Sequence, residues 1–227
     1  MKGCILLTVL TGLHAMAVAT ALEALPLLPE SEAGAGQDWL LRPEDYKAGV
    51  YRTPDGKGIA LSNGLIRRTF RLTPNAATVG LDHLASGEAL LRGVKPEAVI
   101  VVDGRRIEVG GLKGQPNYAF LLPEWVEELT AAPDAMRFTG FTVGVPEERM
   151  SWKRVRPHAP DVVWPPKGVR LRMDYAMPED DASPQRGLRV SVHYELYDGI
   201  PLFSKWITAH NAGAASVTLE GFVSEMI

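Results

Sequence analysis

Leu188–Asn211 reads LRVSVHYELYDGIPLFSKWITAHN and constrains the fold more than any other stretch. Leu188, Val190, Val192, Tyr194 and Leu196 alternate with Arg189, Ser191, His193, Glu195 and Tyr197. A period of two puts the first set on one sheet face and the second on the other. The first face reads as core. The second is polar enough to meet water or a neighbouring domain. Asp198-Gly199 supplies a turn, and Pro201 can begin the next strand because a first residue need not donate to the ladder. An Asn-Ala-Gly turn at Asn211–Gly213 then leads into a third strand running to Ile227. On this reading the chain stops while a sheet is still being built.

The same rhythm runs back to Gly58. Turn residues recur about every ten positions, the pattern of a sandwich or barrel. Ile59–Leu61 breaks at Ser62-Asn63-Gly64. Leu65–Leu72 places Ile66, Phe70 and Leu72 on one face and Arg67 and Arg71 on the other. Ala77–Leu84 and Ala89–Leu91 flank Ser86-Gly87, and Ala98–Val102 and Arg105–Val109 flank Asp103-Gly104, the clearest hairpin signal. Ala135–Val143 and Gly168–Tyr175 are further strands, Pro178–Pro184 is a polar loop, and Glu124–Leu129 can form a helical turn. The lack of long amphipathic helices after residue 21 argues against a crossover-built α/β fold. The expected class is all-β, an antiparallel β-sandwich over residues 58–227, incomplete at its C-terminus. Tyr118, Phe120, Trp125 and Phe138 are expected in its core.

Residues 1–21 read as a signal peptide. Met1-Lys2 is a short positive region, Cys4–Val18 is largely apolar, and Ala19-Thr20-Ala21 fits small-x-small cleavage. The expected localisation is export, periplasmic or extracellular, with no membrane association after cleavage. Cys4 is the one cysteine, so the mature chain would have no disulfide and no thiolate metal site. Residues 22–57, rich in proline and containing Ser31–Gly36, read as a linker and docking segment, with Trp39 and Leu40 able to dock. The formal charge is -3 and becomes -4 without Lys2. Such a surface is a poor partner for phosphates, which argues against nucleic acid.

No catalytic motif, metal-ligand spacing or cofactor fingerprint stands in the sequence, so no catalytic residue, metal or cofactor is assigned. Asp103 and Asp198 are explained by turns, and Glu195 and Glu225 read as solvated strand positions. His158, His193 and His210 share no ligand spacing. His193 is the best functional outsider, since it lies opposite the presumed core. Residues 146–168, PEERMSWKRVRPHAPDVVWPPKG, are the most unusual non-strand segment. Trp152 and Trp164 can stack on sugar rings, while Arg154 and His158 can donate to hydroxyls. These four are the candidate carbohydrate contacts. The plainer alternative, preferred because large aromatics are mostly buried, is that the tryptophans cover a sheet face or pack on a missing domain.

With these residues in place, "VHYELYDGIPLFSKWITAHNAGAASVTLE" resembles the N-terminal β-supersandwich of secreted bacterial α-galactosidase-like proteins, related to family-36 glycoside hydrolases. Tyr197, Asp198, Pro201, Trp206, Asn211 and Gly213 carry the likeness. "LSNGLIRRTFRL", Leu61–Leu72, looks like the first core strands of such domains. The resemblance implies a galactose-mutarotase-like supersandwich acting as the non-catalytic scaffold for a (β/α)₈ barrel. That missing C-terminal catalytic barrel and a carbohydrate are the implied partners. No barrel-like segment is present, so no catalytic residue carries over. The alternatives are an independent carbohydrate-binding module using the tryptophan-rich loop and, more distantly, a mutarotase-like enzyme with His193 as acid and Glu225 as base.

Overall fold

The computed structural model describes residues 18–30, 38–158 and 163–227. Most of the expected signal peptide, the Ser31–Gly36 stretch and Ala159–Val162 lie outside the described residues.

Among the described residues twelve strands form three antiparallel sheets, and the architecture is all-β and sandwich-like. The first sheet runs in the order β1 (Gly49–Arg52), β2 (Gly58–Ser62), β3 (Ile66–Arg71), β4 (Ala77–His83) and β5 (Glu88–Ala89). The second has four strands: β11 (Phe203–Asn211), β10 (Leu188–Tyr197), β9 (Gly168–Ala176) and β8 (Arg137–Gly144). The third is β12 (Leu219–Val223), β6 (Ala98–Val102) and β7 (Arg105–Val109). A six-residue helix, Pro123–Glu128, sits where the helical turn was expected.

One core joins the three sheets. Leu188, Val190, Val192, Tyr194 and Leu196 of β10 are all buried, with Leu171 and Met173 of β9. They meet Ile59, Leu61 and Phe70 of the first sheet and Ile100 and Ile107 of the third. Phe70 and Tyr194 touch edge to face at 5.1 Å between ring centres. Burying side chains of this size is worth about 1.5–3 kcal/mol each, which fixes the register of β10.

Turn chemistry does what the sequence led us to expect at two places. Asp103 (φ 49°) and Gly104 (φ 74°) both take the left-handed backbone that a tight hairpin between β6 and β7 requires. At Ser62-Asn63-Gly64 the turn also works at long range. Buried Asn63 donates through Nδ2 to the carbonyls of Tyr197 and Ile200, 2.8 Å each, and accepts from Leu65 and Ile66 through Oδ1. The first sheet is thereby tied to the β10–β11 loop.

Several expectations need correction. β12 does not continue the ladder beside β11. It leaves that sheet and pairs with β6, a move alternation alone cannot foretell. The boundary at residue 57 falls inside a sheet, because β1 pairs with β2. Pro26–Leu28 exchanges backbone bonds with Arg52 of β1. Leu40, by contrast, is exposed. Tyr118 and Phe120 are not core but 52% and 47% exposed; Phe120 stacks on the half-buried Trp125, and Lys95 lies over Tyr118. Phe138 is half-buried against Tyr175.

Candidate functional site

β10 and β11 carry two polar assemblies on opposite faces. Their register pairs Tyr194 with Lys205 and His193 with Trp206. Directly opposed residues share a face, so Tyr194 and Lys205 look into the core and His193 and Trp206 look away from it.

On the core side lies a buried ion cluster centred on Arg68, which is 4% exposed. It follows from β3 alternation, since Arg68 shares a face with Ile66 and Phe70. Its guanidinium holds Glu225 with two bonds of 2.7 and 3.1 Å and donates through Nε to Thr78 at 2.9 Å. The same group lies 4.8 Å from the Tyr194 ring centre. Buried Glu97 accepts the Tyr194 hydroxyl and the Thr78 amide. Lys205 Nζ donates to the Glu97 carbonyl at 2.7 Å and to Glu225 at 3.2 Å.

Two cations thus face two carboxylates, and every charged group has partners. Burial works against ionisation of Glu225, but Arg68 and Lys205 outweigh it and hold its carboxyl below the usual range. Burial draws the Lys205 ammonium below its ordinary value despite the neighbouring carboxylates. The cluster ties β3, β4, the entry to β6, β10, β11 and the segment after β12 together. It is built as a clamp between the three sheets. Glu225 is therefore not a solvated strand position: it follows β12, half-buried, as one corner of this clamp.

The other face is different. Across β8–β11 it presents Thr142, Arg172, His193 and Trp206 in one row and Arg170, Glu195 and Ser204 in the next. The segment that follows β8 reaches back over it through Glu147 and Arg149. Glu147 pairs with Arg170 at 2.7 Å. Arg149 lies 3.8 Å from the Trp206 ring centre and 3.3 Å from Glu195 Oε2. His193 stacks on Trp206, 4.8 Å between centres and nearly parallel, and its Nε2 pairs with the Thr208 hydroxyl at 3.0 Å.

Glu195, expected in water, and Tyr197, expected on a face open to water or a neighbouring domain, are both buried. Tyr197 donates to Glu195 Oε2 at 2.8 Å and lies equally close to Ser204. Two buried atoms here have no partner: Glu195 Oε1 and His193 Nδ1. Burial lowers the His193 pKa to about 4, helped by the Arg170, Arg172 and Arg149 charges and opposed by Asp174. The ring is neutral near pH 7.

The candidate carbohydrate contacts sit in the connection between β8 and β9. Trp152 is 42% exposed and Trp164 half-buried, with ring centres 6.3 Å apart, and Trp164 Nε1 donates to the Met150 carbonyl at 3.2 Å. Arg154 and His158 are exposed. The structure brings Trp152 and Trp164 together. It does not bring His193 and Glu225 together, because they belong to opposite faces of β10. The groups missed from sequence are Arg68, Glu97 and Lys205 in the clamp and Arg149 on the outer face, while Glu195 was named but read as solvated. Alternation from Phe70 could have flagged Arg68, which shares its face; nothing local marks Glu97, Arg149 or the burial of Glu195.

Among the described residues no group of three or more His, Cys, Asp or Glu side chains could hold a metal ion. Among the same residues no helix is long and apolar enough to cross a membrane. No family model, curated protein or solved structure matches this chain.

Proposed function

We propose that this chain is a non-catalytic, saccharide-contacting β-sandwich of an exported α-galactosidase-like glycoside hydrolase, serving a separate catalytic barrel. The observation that supports it best is the partly exposed pair of Trp152 and Trp164 in the connection between β8 and β9. Aromatic faces suit the apolar faces of a polyhydroxylated ring, and the exposed Arg154 and His158 of the same connection can donate to its hydroxyls. Trp206 is a poorer platform than Trp152, because His193 and Arg149 already pack on it. That connection is the binding element and the sandwich its support.

Retention on a glycan array tests this reading. The wild-type protein is retained by a subset of glycans, and replacing both Trp152 and Trp164 by alanine abolishes retention. Unchanged retention of that variant, or none by the wild type, refutes it. The scaffolding role has its own test: fusion to the reading frame downstream should yield hydrolysis of α-galactosides. An independent carbohydrate-binding module, working without a barrel, would show the same retention without hydrolysis in the fusion.

A further inference from the structure

We propose that the groove between the outer face of the first sheet and the short helix Pro123–Glu128 binds a neutral alcohol with a compact aliphatic or aryl body. Neither Trp152 nor Trp164 lines this groove, and the proposal stands or falls without the saccharide reading above.

The groove originates in the paving of the sheet. Arg68 and Phe70 of β3 are buried toward the core, so Thr69 and Arg71 face away from it. Gly58 of β2 stands opposite Arg71, and Gly80 of β4 opposite Thr69. Opposed residues share a face, so two of these four outward positions carry no side chain. The helix spans the gap without filling it. Buried Leu129 anchors its end, and Glu127 is tied to Arg71. What remains is an open-sided cavity of about 380 Å³, walled by Val79, Leu91, Leu121 and Val126 and floored by Thr69 and the two glycines. That volume lies at the lower end of the roughly 300–1,000 Å³ seen for small-molecule sites.

The charges around the groove decide what fits. Arg71 holds Glu127 with bonds of 2.8 and 2.9 Å and lies 3.5 Å from Asp55, and Lys57 reaches Glu127 at 2.8 Å. Arg67 holds Asp82 at 2.9 and 3.2 Å. Three cations therefore match three carboxylates, and an ionic ligand would have to displace one of them. The unspent group is the Thr69 hydroxyl, on the half-buried floor and bonded to no other described residue. It stays open to solvent, and a ligand hydroxyl can take the place of water there. Asp55, Asp82 and Glu127 line the same groove with acceptors, which favours a group that donates over a carbonyl. The walls are aliphatic, so a compact apolar body with one hydroxyl suits them better than a pyranose wetted on every edge.

The test is titration of the full chain with cyclohexanol, cyclohexylammonium, cyclohexanecarboxylate and methyl galactoside, read by the methyl chemical shifts of Val79, Leu91, Leu121 and Val126. Two variants accompany the wild type. Thr69→Val removes the hydroxyl and keeps the β-branched shape, and Val126→Phe fills the groove from the helix. In the wild type cyclohexanol moves these methyl resonances saturably. Thr69→Val weakens that binding about threefold to tenfold, the range for a neutral hydrogen bond, and Val126→Phe abolishes it. The two ions and methyl galactoside bind there at least ten times more weakly than cyclohexanol. Unmoved methyl resonances in the wild type overturn the proposal, and so does equal cyclohexanol binding by either variant. Either ion, or methyl galactoside, binding there as tightly as cyclohexanol overturns it too, and those comparisons need only the wild type.

Discussion

The two faces of β10 and β11 contain similar chemistry used in opposite ways. Inside, Arg68, Lys205, Glu97 and Glu225 balance and each finds hydrogen-bond partners, and the atom left over near them is a neutral hydroxyl, that of Tyr175. Outside, Arg149, Glu195, Tyr197 and His193 are assembled with comparable care, yet Glu195 Oε1 and His193 Nδ1 are left over. A closed polar network specifies one arrangement of the sheets. The outer one leaves a carboxylate oxygen and a ring nitrogen unmatched, which offsets part of what its bonds contribute. The difference separates a part that holds the sheets from one that adds little to holding them.

The largest expected effect breaks the inner network. Arg68→Met leaves two acidic groups in the clamp with Lys205 alone, and should cost about 3–5 kcal/mol in urea unfolding, as breaking a buried pair does. A loss below about 1 kcal/mol would show that the clamp does not hold the sheets.

Next comes pH. The folded His193 pKa is lowered to about 4, so below its unfolded value of 6.5 the unfolded chain binds a proton that the folded chain refuses. Stability contributed by the neutral ring is full above 6.5 and is lost as pH falls toward 4. At a half-buried ring this is worth at most about 2 kcal/mol after allowance for solvent screening. The wild type should therefore lose more stability between pH 7 and pH 4.5 than His193→Asn does. Equal losses would place the ring in an ordinary aqueous setting.

Smaller still is Glu195→Gln. It removes a buried charge and leaves Arg149, whose side chain still reaches solvent, so unfolding stability should stay within about 1 kcal/mol of wild type or rise. A loss comparable to that of Arg68→Met would erase the contrast between the two faces. The smallest effect belongs to Glu127, which pairs at the surface with Arg71 and Lys57. Glu127→Gln should leave the thermal midpoint unchanged within error, and a clear drop would mean the short helix is held by that pair.

The strand pattern from Gly58 to Asn211 was legible because one buried face against one wetter face leaves alternation in the sequence. Asp103-Gly104 was legible because its backbone angles demand those residues. The destination of β12 was not, since pairing with β6 rests on contacts more than a hundred residues apart. Arg68 was hidden by its own type: a charged residue in an alternating strand reads as surface until its partners are known. Glu195 was misjudged for the same reason, because Arg149, which pairs with it, carries no local mark of where it lands. Trp152 and Trp164 stood out as candidates, but their closeness comes from how the connection between β8 and β9 folds, not from spacing.

The central claim is that the inner clamp holds the sheets and that saccharide contact lies elsewhere, at Trp152 and Trp164. Amide and indole chemical-shift mapping during a methyl galactoside titration tests it most directly. The account predicts shifts at Trp152, Arg154, His158 and Trp164, with Arg68, Glu97 and Glu225 unmoved. Shifts centred on the clamp, or none anywhere, would contradict it.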